Sequence, residues 1–522
     1  MRASSFTTRA VSAVLLCVVW AGAGFGTAAV IATPSTLASG TAGVAALDGR
    51  AVTLPICVET TITGTTTGVT STGTTTTGTT TTGTTPVATC TTTVTTTTTT
   101  ATKTSTTKTQ TTPITTVSGP DTPPPAAPAS KALTALQKKL NGAINGQGGR
   151  NSALVIDETT GQTLWQYNVA VARLPASVEK LYTTSTALLE FGPDATFETR
   201  VLGTGTLLAN GTWDGTLYLK GGGDPTFGSM TFDKANFGTG ATVQVLAANL
   251  RAAGIKQVRG KIVGDESYFN SRRGGPDSHY HASLETEGSL SALAYDEGFT
   301  NLFEERLQRH PPLVAAQALA AALAADHVRI DKRTQITTGI TPTDAQLITG
   351  VSSPSLSTLL ALTNAPSNNF FAETLLKDLG ARYGSGGSTP AGAAVVREVM
   401  AEKLGLHPRL NDGSGLSRFD RTNAEQVVYL LREMQANPSF WTSLAIAGVS
   451  GTMKGEMLHT RGARNCRGKT GTLHDVANLV GYCKAANGDQ LVFAFLMNGL
   501  TDSDGGHELE DLAGEALANY KG

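Results

Sequence analysis

The chain has 522 residues, with 40 Lys and Arg against 41 Asp and Glu and a net charge of −1 at pH 7. No basic block is present to displace phosphate counterions, so a nucleic-acid partner is excluded. Of the histidines only His279 and His281 have ligand-like spacing, in a loop rich in Gly, Ser and Arg; no metal, nucleotide loop or other cofactor is expected.

Residues 1–32 carry Arg2 and Arg9 ahead of an apolar run and end in small residues suited to cleavage after Ala32. They read as an export signal or, since the run from Ala10 to Ala32 is nearly long enough to cross a bilayer, as an uncleaved anchor. Membrane attachment is expected only in the second case. Both readings put the rest of the chain outside the cytoplasm, secreted or associated with the cell envelope. Residues 33–130 read as a Thr/Pro-rich disordered tether: stretches such as STGTTTTGTTTTGTT, and then DTPPPAAPAS, lack the apolar residues to offset ordering entropy. Its hydroxyls are open to sugars. In an oxidising compartment Cys57 is expected to pair with Cys90 around the threonine tract, and Cys466 with Cys483 on neighbouring strands.

Order begins near Lys131, where Leu133, Leu136, Leu140 and Ile144 recur with helical spacing. SALVIDETTGQTLWQYN follows as two strands about a turn at Thr160 and Gly161. Next comes PASVEKLYTTSTALLEFG, a helix stopped by Gly192 and Pro193. From Glu198 to Gln346 short strands alternate with glycine-rich turns, with helices at TVQVLAANLRAAGI and at Leu313 to Ala325. This block reads as an inserted, β-rich domain. Longer helices then return, including NAEQVVYLLREM, whose Asn423 and Gln426 form a capping-box pattern. The strands NLVGYC and LVFAFLMNG and a helix from Glu508 to Tyr520 close the chain. The order of elements predicts an α+β fold.

Ser177 and Lys180 lie three residues apart at a helix start, so hydroxyl and amine share one face. A serine needs a base beside it, and a lysine serves only with a lowered pKa, from burial and a second nearby cation. Ser-x-x-Lys alone is weak, since Ser105 and Lys108 repeat it inside the threonine tract. Two further stretches complete an ordered set: Ser367-Asn368-Asn369 before a helix, and Lys469-Thr470-Gly471-Thr472 on a strand. By residue type, Lys469 is the second cation and attracts a substrate carboxylate. Ser367 relays a proton between Lys180 and a leaving amine, and the Asn369 amide holds a substrate peptide group and approaches Lys180. Gly471 lets a substrate strand lie close, and the backbone N–H groups of Ser177 and Thr472 are oxyanion donors.

With these motifs the chain resembles the D-alanyl-D-alanine carboxypeptidases/endopeptidases of the class C low-molecular-mass penicillin-binding proteins. The resemblance runs from about Lys131 to Gly522 through LYLKGGGDPTF, GKIVGDESYF, LSALAYDEG, NDGSGLSR and AGVSGTM. It implies an antiparallel sheet flanked by helices, as in penicillin-binding proteins and β-lactamases, formed by residues 131–197 and 347–522 and split by the insert at 198–346. It also implies acylation of Ser177 by a peptidoglycan stem peptide, release of the terminal D-alanine and hydrolysis of the acyl-enzyme, with β-lactams acylating the same serine. Lys180 and Ser367 are then catalytic, and Asn369, Lys469, Thr470, Gly471 and Thr472 bind substrate. Arg418, ending Gly-Leu-Ser-Arg, touches the stem-peptide side chain or serves as a loop salt-bridge residue. The short stretch between LSALAYDEG and the alanine-rich helix predicts that the nested domain of many relatives is missing or reduced, and no counterpart of the class A β-lactamase glutamate loop is found. Two rivals remain: transfer of the acyl group to an amine, and a non-enzymatic surface module with a decayed enzyme head.

Overall fold

The computed structural model describes residues 124–145 and 149–522, together with the backbone of three threonine-rich segments. The expected export signal and the Cys57 half of the first cysteine pair lie outside the described residues. The chain divides into two units, Met1–Thr115 and Thr116–Gly522. In the first, β1 (Thr72–Thr81), β2 (Thr89–Thr98) and β3 (Thr106–Thr109) form an antiparallel sheet in that order. Threonine is β-branched and favours such extended backbone, while the tether reading of residues 33–130 rests on their lack of apolar residues.

The second unit opens with α1 (Lys131–Asn145), whose Leu133, Leu136, Leu140 and Ile144 are all buried. The hairpin of β4 (Arg150–Asp157) and β5 (Gln162–Tyr167) turns where the Asp157 carboxylate accepts hydrogen bonds from Thr159 N and Thr160 Oγ1, with Gly161 at a φ of 69°. A short 3-10 turn, Ala176–Glu179, then leads into α2 (Lys180–Phe191). Ser177 thus sits in the turn ahead of the helix rather than inside it.

A mixed sheet follows, built from β6 (Glu198–Leu207), β7 (Thr212–Lys220), β8 (Gln257–Asp265), β9 (Arg329–Ile330), β10 (Gln335–Thr338) and β11 (Gln346–Ser352). Its path is β10-β8-β7-β6-β11, with β9 on β8. Helices α3 (Met230–Asn236), α4 (Val243–Ala252) and α5 (Pro311–Ala325) belong to the same stretch, and α4 and α5 pack Leu246, Leu250, Leu319 and Leu323 into a common core with Leu217 and Ile262.

The helical run α6 (Leu356–Asn364), α7 (Asn369–Tyr383), α8 (Thr389–Leu404), α9 (Ala424–Met434) and α10 (Pro438–Ser443) precedes β12 (Ala445–Ile446), β13 (Cys466–Leu473), β14 (Val476–Lys484), β15 (Gln490–Asn498) and α11 (Ser503–Ala518). These late strands join the early hairpin in one antiparallel sheet, β12-β13-β14-β15-β4-β5. Along β15, Val492, Ala494 and Leu496 face a core shared with α2 and α6–α9, while Leu491, Phe493, Phe495 and Met497 face α1 and α11. A sheet covered on both faces explains why this strand reads as an unbroken apolar run. Cys466 and Cys483 stand opposite each other on β13 and β14 and are joined by a disulfide.

Two helix starts differ from the sequence reading. Asn423 does cap α9, accepting from Gln426 N at 2.9 Å, but the Gln426 side chain accepts from His407 N at 2.8 Å instead of returning to the cap. Helix α11 begins at Ser503, ahead of the expected Glu508, because Asp502 caps it by accepting from Gly505 N.

Candidate active site

The turn carrying Ser177 is held from three sides. Ala176 has a φ of 46°, a left-handed conformation that costs an L-residue roughly 1–2 kcal/mol, so the surrounding contacts must over-determine it. Asn478 on β14 donates Nδ2 to the carbonyls of Leu174 and Pro175 at 2.9 and 2.8 Å. Asn498 on β15 accepts Leu174 N at 2.6 Å. Gly415 and Gly471 close the other sides, where a Cβ on Gly415 would lie 1.8 Å from Ala176 O and one on Gly471 2.6 Å from Pro175 O. The glycine of Lys-Thr-Gly therefore also admits the nucleophile's own turn, a second reason for a residue without a side chain at this position.

Lys180 follows at the start of α2 and is wholly buried. Its Nζ lies 3.0 Å from Ser177 Oγ, 2.5 Å from Asn369 Oδ1 and 2.9 Å from Ser414 O. Burial lowers its pKa to about 8, against the opposing pull of Glu287, Asp412, Glu373 and Glu179. A neutral amine has two N–H donors and one lone pair. Asn369 Oδ1 and Ser414 O are acceptors only and take the two hydrogens. The lone pair is then left for the Ser177 hydroxyl, the arrangement a general base needs.

Asn369 opens α7, which Asn368 caps by accepting from Phe371 N. Asn369 also donates its backbone N–H to Glu287 Oε2 at 2.5 Å and its Nδ2 to Glu285 O at 2.7 Å, so the loop ahead of LSALAYDEG fixes this amide. Ser367 adopts a φ of 69° just before the helix. Its hydroxyl has no hydrogen-bond partner among the described residues, and it is half-buried.

Lys469 on β13 is wholly buried, donates to Thr470 O at 2.8 Å, and is pushed well below its ordinary pKa first by burial and then by the charge of Lys180. The Thr470 hydroxyl donates to Thr452 Oγ1 at 2.7 Å, whereas Thr472 is exposed. Arg418 makes a two-pronged ion pair with Asp475, the guanidinium about half exposed. Of its two sequence readings, the loop salt bridge describes the contact it makes.

Sequence reasoning missed the groups that support these side chains. Glu373 Oε1 accepts from Gly413 N, Ser414 N and Ser414 Oγ at 2.8, 2.9 and 2.7 Å, and so fixes the carbonyl that Lys180 uses. Burial lifts the Glu373 pKa to about 8. Asp412 accepts from Gly415 N and Ser417 N and stands with Glu179 and Asp420 in a buried carboxyl group of three. Burial, and then mutual repulsion, pushes Glu179 and Asp412 far above ordinary carboxylates. A polar residue inside an apolar run, as with Asn478 and Asn498, was the one available signal for such supports.

The sequence model described as the D-Ala-D-Ala carboxypeptidase 3 (S13) family matches residues 136–302 and 284–519. The D-alanyl-D-alanine carboxypeptidase of Actinomadura sp. (strain R39) is 28% identical over 485 residues, which cover 76% of this chain and 87% of that protein. Carboxypeptidase DacB of Mycolicibacterium smegmatis is 29% identical over 365 residues, 66% of this chain and 75% of that protein. Penicillin binding protein 4 from Haemophilus influenzae superposes with a TM-score of 0.62 at 21% identity, over 74% of this chain and 99% of that one. The same protein complexed with a novel β-lactam gives 0.56 at 20% identity, over 75% and 100%. At these identities the structural likeness is one of fold.

Proposed function

Since the chain belongs to the D-Ala-D-Ala carboxypeptidase 3 (S13) family, we propose that Ser177 is the nucleophile with which it removes the terminal D-alanine from peptidoglycan stem peptides. The activity is that of a serine-type D-Ala-D-Ala carboxypeptidase, a hydrolase of the class C low-molecular-mass penicillin-binding proteins. Neutral Lys180 takes the Ser177 proton as Oγ attacks the carbonyl of the penultimate D-alanine. The oxyanion forms against the backbone N–H groups of Ser177 and Thr472. The proton passes through Ser367 to the leaving nitrogen, the C–N bond breaks, and D-alanine departs. Water, deprotonated by the same lysine, then hydrolyses the ester and restores Ser177.

Asn369 holds the substrate's peptide group, and Lys469, Thr470 and Thr472 form the end of the cleft that receives the terminal carboxylate. Arg418 lies at the rim, and a stem-peptide side chain reaching it would compete with Asp475. Cutting of peptide cross-links is a second activity open to the same acyl-enzyme chemistry. β-lactams are expected to acylate Ser177, in keeping with the β-lactam complex of the similar Haemophilus protein. The substrate lies outside the cytoplasm, which fits the export reading of residues 1–32; among the described residues no helix is long and apolar enough to cross a membrane. The threonine tract would then act as a spacer between envelope and enzyme.

The observation that carries this reading is a wholly buried lysine with its Nζ 3.0 Å from Ser177 Oγ. Incubation with purified muropeptides, read by mass spectrometry, tests it. Pentapeptides shortened by one alanine are expected. Newly cross-linked dimers would mean that an amine, not water, accepts the acyl group, and no change at all would mean a non-enzymatic module.

A further inference from the structure

Helix α11 brings a second cation to the end of β13. His507 Nε2 lies 3.3 Å from Thr472 Oγ1, and His507 Nδ1 lies 2.9 Å from Glu510 Oε2. The Glu510 side chain is 1% exposed and that of His507 30%. A buried carboxylate is thereby linked through an imidazole to a hydroxyl at the open edge of the cleft. None of the three sequence motifs contains His507, and the reaction described above does not use it.

The protonation of this imidazole sets the direction of the Thr472 hydroxyl. An imidazolium donates from both nitrogens, so Nε2–H points at Thr472 Oγ1 and the hydroxyl's own hydrogen is free to be donated to another acceptor. Neutral His507 with its proton on Nδ1, toward Glu510, offers a lone pair at Nε2. The Thr472 hydroxyl then donates inward and turns its oxygen lone pairs, which repel an anion, toward the cleft.

Lys469 is enclosed and gives a hydrogen to Thr470 O, and burial followed by the charge of Lys180 pushes its pKa well below the ordinary value, so a charge at the exposed edge of the cleft has to come from another group. The groups facing His507 favour its charged form. Glu510 and Asp504 are on its own helix, and Glu456 faces it from the loop before β13. Burial raises the Glu510 pKa, the hydrogen bond and charge of His507 oppose that rise and favour the carboxylate, and Asp511 and Lys469 act more weakly in opposite directions. The hydrogen bond to Glu510 is the main cause that raises the His507 pKa to about 8, with burial opposing it.

We propose that His507 is the positioning residue for the substrate's terminal carboxylate: bridging Glu510 and Thr472 as an imidazolium, it turns the Thr472 hydroxyl outward as a donor and adds the positive charge that attracts the anion. The proposal rests on the Ser177 carboxypeptidase reading and deepens it. It explains how a charge at the exposed edge of the cleft, beside a wholly enclosed Lys469, selects a free C-terminus.

The test uses the full chain and two acyl-D-Ala-D-Ala peptides, one ending in a carboxylate and one in a carboxamide. The ratio of their kcat/KM values cancels Lys180, which acts on both. In the wild type this ratio is expected to fall about tenfold as the pH rises through about 8, with the change in KM rather than kcat. In His507→Gln it is expected to start about tenfold lower and to stay flat with pH. A wild-type ratio that does not change with pH overturns the proposal without reference to any variant, and so does a His507→Gln profile that follows the wild type. Wild-type protein that cleaves neither peptide instead overturns the carboxypeptidase reading, and the proposal falls with it.

Discussion

Lys180 carries the chemistry because of what surrounds it. Two oxygen acceptors fix its hydrogens, and burial brings its pKa to about 8. The neutral base therefore predominates as pH rises through that value. The limiting rate of Ser177 acylation at saturating penicillin is expected to climb with pH and level off above about 8, which stopped-flow measurement would read. A rate independent of pH across that range would mean that another group takes the proton. Asn369→Ala removes one of the two acceptors and is expected to slow acylation by about 10²-fold. Much of this was legible in the sequence, since the three-residue spacing put Ser177 and Lys180 on one face and an asparagine two places after Ser367 could reach the amine. Glu373 and Ser414 were not legible. Lys180 meets Ser414 through a backbone carbonyl, which every residue has, and Glu373 acts only by holding that carbonyl in place.

The turn Ala176–Glu179 is the element on which the site depends. Its strained backbone is clamped by two glycines and two strand asparagines. Gly415→Ala would drive a Cβ into Ala176 O from a residue with a φ of 87°. It is expected to lower the acylation rate by about 100-fold through displacement of Ser177; a variant acylated at the wild-type rate would show that the turn needs no such clamp.

Helix α7 supports the opposite wall through Glu373, and a pH dependence of stability follows. The Glu373 pKa is raised from 4.5 to about 8 on folding, so the folded state holds a proton that the unfolded chain releases. The resulting stability is present below 4.5 and lost as pH rises through about 8. Glu373→Gln keeps an oxygen for the three donors and removes the titration. Urea unfolding across that window is expected to give a flatter profile for the variant, and an unaltered slope would contradict the assignment. Helices such as α1 were readable from their apolar spacing, and α9 from its cap. The start of α11 was missed because Asp502 caps a polar first turn with no apolar periodicity to announce it.

One sheet joins strands from the beginning and the end of the unit Thr116–Gly522. Strand β15 pairs with β4 from Leu491↔Asp157 to Asn498↔Arg150, and the helices that carry the site pack on that sheet. A separate six-stranded sheet, β6 to β11, occupies the long interval between Ser177 and Ser367. What could not be read was that a loop of this interval, through Glu285 and Glu287, would hold Asn369 in the site, because no local pattern encodes a contact between segments so far apart in sequence. The unit Thr116–Gly522 contains both six-stranded sheets, their cores and every proposed site residue. Expressed alone, it is expected to fold and to release D-alanine from a soluble peptide at a rate within about twofold of the full chain. A large loss of turnover would assign the threonine-rich unit a part in catalysis.

Labelling with a fluorescent penicillin, followed by peptide mapping, tests the assignment of the nucleophile most directly. A single label on the peptide that contains Ser177, absent from Ser177→Ala, is the expected result; label that persists in Ser177→Ala, or that maps to another serine such as Ser367, would contradict it.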